Sequence, residues 1–218
     1  MSGQALPVWC KICGITVAAD VDAAVDAGVD AIGFNFYPQS SRCVSMEVAT
    51  KLCERVPAHV MKVGLFVDAS SDEVNLIART CGLDLLQFHG EETAEFCSQF
   101  GLPYMRALRM MPGLDIKAEI AHYDNAWAIL LDAYVEGSVG GTGRTFDWSL
   151  WPGAVMPRMV LAGGLTPDNV AEAIERLQPF GVDVAGGVEG SVKGLKDHGL
   201  IKKFMKGVRN GRRSTTPG

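Results

Sequence analysis

Eight short apolar runs alternate with stretches of helical spacing along the 218 residues, and this repetition constrains the fold more than any single motif. The runs are Val8–Ile12, Ala31–Phe36, Met61–Val67, Asp84–Phe88, Tyr104–Ala107, Trp127–Leu131, Arg158–Leu161 and Val182–Val184. Helical spacing marks Ala18–Ala27, Met46–Arg55, Asp72–Thr80, Thr93–Phe100, Ile116–His122 and Asn169–Leu177, with a last helix near Leu200–Val208. The segment after Thr145 carries only a weak helical pattern. Boundary signals agree with this division: Ser45 and Ser71 suit N-caps, Pro167 suits a first helical turn, and Gly28 and Gly82 stand where C′ glycines belong.

Strict alternation implies parallel pairing, because a parallel neighbour requires a crossover that a helix supplies. Eight such units close most simply into an α/β (β/α)8 TIM barrel, a single domain over residues 1–209. The length agrees, since one barrel takes about 200–250 residues. A doubly wound open sheet is the competing architecture, but no G-x-G-x-x-G turn follows the first strand. Residues 210–218 are polar and basic and read as a tail beyond the domain.

Composition narrows the function classes. With 48% hydrophobic and 21% charged residues the chain has a core to bury, and the net charge of −5 with scattered basic residues offers no face for a nucleic-acid backbone. No run reaches the roughly 18 apolar residues of a membrane span, and Met1–Pro7 lacks the pattern of a secretory signal. The expected setting is cytoplasmic and the expected partner a small molecule, with neither nucleic acid nor membrane. Monomer and homodimer are both compatible with these features. The six cysteines are irregularly spaced and fit reduced thiols.

In a barrel, reactive groups belong at the C-terminal ends of the strands. The polar residues there are Cys13, Arg42, Asp68, His89, Arg106 and Asp132. Glycine-rich turns follow the last three strands, at 137–143 (including Gly141 and Gly143), at Gly163–Gly164 and at Gly186–Gly187. Barrels often hold phosphate in the loops after strands seven and eight, so a phosphorylated substrate is expected. Cys10 and Cys13 look superficially like a redox pair. Val8–Ile12 reads as a strand, however, placing Cys10 with Ile12 on a core face and bringing Cys13 out at the barrel mouth. Asp132 is expected to be an isolated carboxyl in a dry mouth, suited to a general acid, or else a cap or loop residue. Arg42 suits a carboxylate partner or an ordinary surface position. Among the four histidines, no set has metal-ligand spacing.

Ordered stretches then match a known family. They are Lys-Ile-Cys-Gly-Ile-Thr at 11–16, Gly-Phe-Asn-Phe-Tyr-Pro at 33–38, Ser-Arg at 41–42, Val-Gly-Leu-Phe-Val at 63–67 and Gln-Phe-His-Gly-Glu-Glu at 87–92. The second half adds Leu-Leu-Asp at 130–132, Gly-Gly-Thr-Gly-Arg-Thr-Phe-Asp-Trp at 140–148, Leu-Ala-Gly-Gly-Leu-Thr-Pro-Asp-Asn-Val at 161–170 and Gly-Val-Glu at 187–189. From about Cys10 to Val208 the chain resembles the phosphoribosylanthranilate isomerases of tryptophan biosynthesis.

The resemblance implies an Amadori rearrangement without metal or other cofactor. It implies Asp132 as acid to the ring oxygen, Cys13 as base to C2, Arg42 and His89 toward the substrate, and the glycine loops toward its phosphate. Two departures stand out. Ala185-Gly186 replaces the family's usual Ser-Ser, and Phe88 replaces a common leucine. Rival readings are a Cys10/Cys13 thiol oxidoreductase, a non-catalytic phosphosugar-binding barrel, and a related isomerase with histidine-pathway activity, whose base would be aspartate instead of cysteine.

Overall fold

The computed structural model describes residues 7–111, 113, 115–133, 151–153, 155–156 and 158–211. Eight parallel strands close into a barrel in sequence order: β1 Trp9–Cys13, β2 Ala31–Asn35, β3 Met61–Phe66, β4 Leu85–Phe88, β5 Tyr104–Met110, β6 Ala128–Ala133, β7 Met159–Ala162 and β8 Gly181–Val184. β8 pairs back onto β1 through Trp9↔Gly181 to Ile12↔Val184, which leaves no open edge. Seven α-helices lie among the described residues: α1 Ala18–Ala27, α2 Met46–Cys53, α3 Ser71–Cys81, α4 Ala94–Ser98, α5 Ile116–Ala121, α6 Val170–Leu177 and α7 His198–Asn210. None is long and apolar enough to cross a membrane.

Strand alternation sorts side chains into two cores. Toward the barrel axis, Ala31, Val63, Leu85, Met105, Ala107, Ala128, Leu130, Val160 and Ala162 form a compact plug. Between strands and helices lies the larger core, containing Cys10, Ile12, Phe34, Phe66, Leu86, Phe88, Ile129, Leu131, Val182 and Val184. Trp9, Trp127 and Phe180 pack against the plug and against one another, with ring centroids 5.6–6.3 Å apart.

The strand positions and most helix positions agree with the periodic pattern; the ends differ. Ser70, not Ser71, caps α3, because its hydroxyl accepts from Glu73 N at 3.2 Å. Pro167 belongs to the turn before α6, whose cap is Asn169. β5 continues to Met110, so Arg106 lies within a strand and not beyond one. α7 extends through Asn210. The segment after Thr145, where a weak helix is expected, lies largely outside the described residues, as do 212–218.

The Phe88 substitution has a packing explanation. Its ring is fully buried and contacts those of Phe66, Phe96, Phe100 and Tyr104, at centroid separations of 5.6–6.3 Å. An aromatic cluster therefore fills the space between β4 and α4.

Candidate active site

Cys13 is the last residue of β1 and stays within the sheet, opposite Gly33 of β2, with 7% of its surface exposed. It is therefore more enclosed than a residue released at the barrel mouth. It shares the interior strand face with Lys11, while Cys10 and Ile12 point into the outer core. Cys10 and Cys13 lie on opposite faces of one strand, so this arrangement does not present them as a redox pair.

Gly14 turns the chain directly after Cys13 with φ +73°, and its missing side chain makes room for Arg42: an added Cβ would stand 2.5 Å from Arg42 Cδ. A motif residue beside the thiol thus seats the arginine from the loop after β2.

Three cations and two carboxylates gather on this side. Lys11 is fully buried and donates from Nζ to Asp183 Oδ2 at 2.9 Å. Arg42 donates through Nε and Nη2 to the two oxygens of Glu189 at 2.5 and 2.8 Å. Lys196 donates to Glu189 Oε1 and to Ala185 O, each at 3.0 Å. Burial pushes the Cys13 thiol up from its ordinary value, and Lys11 pulls back as a neighbouring charge and hydrogen-bond donor. For Glu189, burial raises the carboxyl but Arg42 and Lys196 more than reverse it, leaving it below the usual range. Burial likewise holds the Lys196 ammonium down, against the pull of Glu189.

Across the mouth, Asp132 near the end of β6 shares the interior face with Ala128 and Leu130. Its side chain is 34% exposed, and its Oδ2 lies 3.4 Å from His89 Nε2. Asp132 is thus neither isolated nor enclosed, in contrast to the sequence expectation, because the turn after β4 delivers a histidine to it. That turn is fixed from beneath. Glu92 accepts from the backbone N–H groups of Asp68 and Gly90 at 2.8 Å each, and Arg106 binds Glu92 at 2.8 Å and donates to Gly90 O at 2.6 Å. Arg106 faces outward from the barrel, lies 5.1 Å from the Tyr123 ring centroid and takes no place in the mouth.

The glycine turns lie where expected, as far as they are described. Gly163 and Gly164 follow β7 with φ +81° and +66°, a conformation that strains other residues. Gly186–Val188 forms a 3-10 turn after β8, and a Cβ on Gly187 would fall 1.8 Å from Leu165 O, so the loops after β7 and β8 touch backbone to backbone. Gly141 and Gly143 lie outside the described residues. Among the described residues no cluster of three His, Cys, Asp or Glu side chains is placed to hold a metal.

Lys11, Asp183, Glu189 and Lys196 were not singled out from the sequence as site residues. A usable signal was present for two: Lys11 and Asp183 are charged residues in otherwise apolar strands, at interior positions. Glu189 ends the matching stretch Gly-Val-Glu, but its pairing with Lys196 has no local signal, because it depends on how the loop after β8 folds back.

The family profile of N-(5'-phosphoribosyl)anthranilate (PRA) isomerase matches residues 10–207. An N-(5'-phosphoribosyl)anthranilate isomerase from Chromohalobacter salexigens is 52% identical over 198 residues, covering 91% of this chain and 92% of the relative. The crystal structure of phosphoribosyl anthranilate isomerase from Thermotoga maritima superposes with a TM-score of 0.86 at 39% identity, covering 93% of this chain and 98% of that one. A second solved isomerase, in complex with reduced 1-(o-carboxyphenylamino)-1-deoxyribulose 5-phosphate, gives a TM-score of 0.82 at 37% identity over the same shares. With agreement over nearly the whole barrel, the chain belongs to the N-(5'-phosphoribosyl)anthranilate isomerase family.

Proposed function

We propose that the chain isomerises N-(5'-phosphoribosyl)anthranilate to 1-(2-carboxyphenylamino)-1-deoxyribulose 5-phosphate, the activity for which its relatives are named, with Asp132 as general acid and Cys13 as general base. The observation that carries the assignment of roles is the placement of a carboxyl and a thiol on interior faces at the C-terminal ends of β6 and β1. Substrate and product are isomers, so the work is ring opening and proton transfer with no atom gained or lost overall.

Asp132 gives a proton to the ring oxygen as the C1–O bond breaks, leaving an open-chain iminium. The Cys13 thiolate then takes the C2 proton, and the released electron pair forms the C1–C2 double bond of an enolamine. To finish, C1 gains a proton and the C2 hydroxyl loses one, which restores thiolate and acid. The two groups suit these steps differently. Asp132 has access to the sugar and to His89, whereas Cys13 is enclosed, limiting the competing reactions of a thiolate with solvent species.

Phosphate is assigned to the glycine turns Gly163–Gly164 and Gly186–Gly187 after β7 and β8, the usual place for it in a barrel; Gly141 and Gly143 complete the cradle by resemblance. Arg42 is assigned to the anthranilate carboxylate. Since Glu189 occupies its Nε and Nη2, the carboxylate is to be met from the Nη1 side.

The test is turnover of freshly prepared phosphoribosylanthranilate, followed by loss of its fluorescence, for wild type, Cys13→Ala and Cys10→Ala, with circular dichroism as the folding control. Loss confined to Cys13→Ala supports the reading. Folded wild-type protein without turnover would falsify it.

A further inference from the structure

The buried pair Lys11–Asp183 has no structural need to be ionic. Its two charges sit directly above an apolar plug, and well-packed apolar residues of similar volume would fill such a place at equal or lower free energy. What distinguishes the location is Cys13. Lys11 and Cys13 share the interior face of β1, and both reach over the same point of β2: a Cβ on Gly33 would lie 2.9 Å from Cys13 Sγ and 3.1 Å from Lys11 Nζ. Only glycine at 33 leaves space for thiol and ammonium together.

The charged groups facing Cys13 come from every neighbouring element. They are Lys11 on its own strand, Asp183 on β8, Lys196 after the 3-10 turn and Arg42 after β2. Glu189 binds the last two, so their charge toward the thiol is largely answered. Lys11 is answered by Asp183 through one carboxylate oxygen, while the other, Oδ1, is buried without a hydrogen-bond partner among the described residues.

We propose that Lys11, anchored by Asp183, is the positioning residue for the base: its ammonium donates to the Cys13 sulfur and stabilises the thiolate that removes the substrate proton. The role assigned to that thiolate rests on the isomerase reading; its ionisation does not. Lys11 stays protonated throughout, and the only proton that moves is the thiol's own. Charge effects agree in sign. For the Lys11 ammonium itself, burial acts downward, but Asp183 and Cys13 outweigh it and hold it above its ordinary value. At Cys13 the attraction of Lys11 exceeds the opposing effect of Asp183, so removing the whole pair makes the thiolate harder to form.

The experiment compares Lys11→Met and the double variant Lys11→Met/Asp183→Asn, the second leaving no orphaned buried carboxylate. Iodoacetamide alkylation of Cys13 is followed by mass spectrometry as a function of pH, beside kcat and KM. The expected result is an upward shift of the alkylation midpoint by about one pH unit or more, equivalent to roughly tenfold less thiolate at neutral pH. kcat should fall in proportion, with KM unchanged.

An unshifted midpoint in the folded double variant overturns the proposal. Should neither variant fold, the wild type decides: the buried lysine resonance in a 15N-lysine NMR titration must move with the Cys13 alkylation midpoint, and independence of the two overturns the proposal. A shifted midpoint in protein whose wild type shows no turnover sustains the role of Lys11 and defeats the isomerase reading.

Discussion

The two sides of the barrel mouth solve opposite problems. On the side of β1, β2 and β8 the reactive group is enclosed and surrounded by charge, with Cys13 and Lys11 buried and Arg42, Glu189 and Lys196 tied together above them. On the side of β4 to β6 the reactive group is open: Asp132 is about a third exposed, and its charged support, Glu92 with Arg106, lies behind the loop and outside the mouth. A thiol must lose its proton before it is useful, and burial opposes that, so cations are brought to it. A carboxyl acting as an acid must reach the sugar oxygen, so access matters more than a surrounding charge.

Breaking each side should therefore give a different signature. The largest effect is expected from Cys13→Ala, a loss in kcat of about 10²–10⁴-fold, the usual worth of a positioned general base. In the wild type, alkylation of Cys13 should speed up as pH rises from neutral into the alkaline range, because the reactive form is the thiolate and burial has pushed the thiol up. Alkylation that does not change with pH would contradict a buried, protonated thiol at Cys13. Asp132→Asn should cost kcat by a similar factor, yet leave the pH profile of Cys13 alkylation in place, since the two groups lie on separate sides of the mouth. If that profile moves, the separation drawn here fails.

Arg106→Met should behave otherwise. It orphans the buried Glu92 and should lower unfolding stability by about 3–5 kcal/mol in denaturant titration. Its effect on kcat should be near tenfold, through the displaced His89 turn. An equally large loss of activity without loss of stability would place Arg106 in the chemistry instead.

The smallest effect is expected from restoring the family's serines with Ala185→Ser/Gly186→Ser. A Cβ at 186 meets Arg42 Nη2 at 3.3 Å, so the guanidinium must yield slightly, while two hydroxyls become available to phosphate. KM should fall severalfold with kcat unchanged. A rise in KM would show that glycine at 186 is there for Arg42.

The difference between the two sides also decides how much could be read from sequence. Cys13 and Asp132 are legible because each ends an apolar run, and a barrel puts such ends at its mouth. His89 is legible for the same reason, although its pairing with Asp132 is not, since the turns and ends of different strands must come together to create it. Arg106 misleads because it alternates with the interior Met105 and Ala107 and so falls on the outer face of β5, where nearness to the end of an apolar run does not bring it to the mouth.

Alternation by itself determined the eight strands and their parallel pairing, with chain length and repeat count favouring a barrel, for periodicity is local and each strand's apolar faces are written in consecutive residues. The tertiary structure alone decided which charges meet. Lys11 and Asp183 stand 172 positions apart, and Arg42 and Glu189 stand 147 apart. Closure of β8 onto β1 brings both pairs to one place, a consequence of ring geometry that no local pattern encodes.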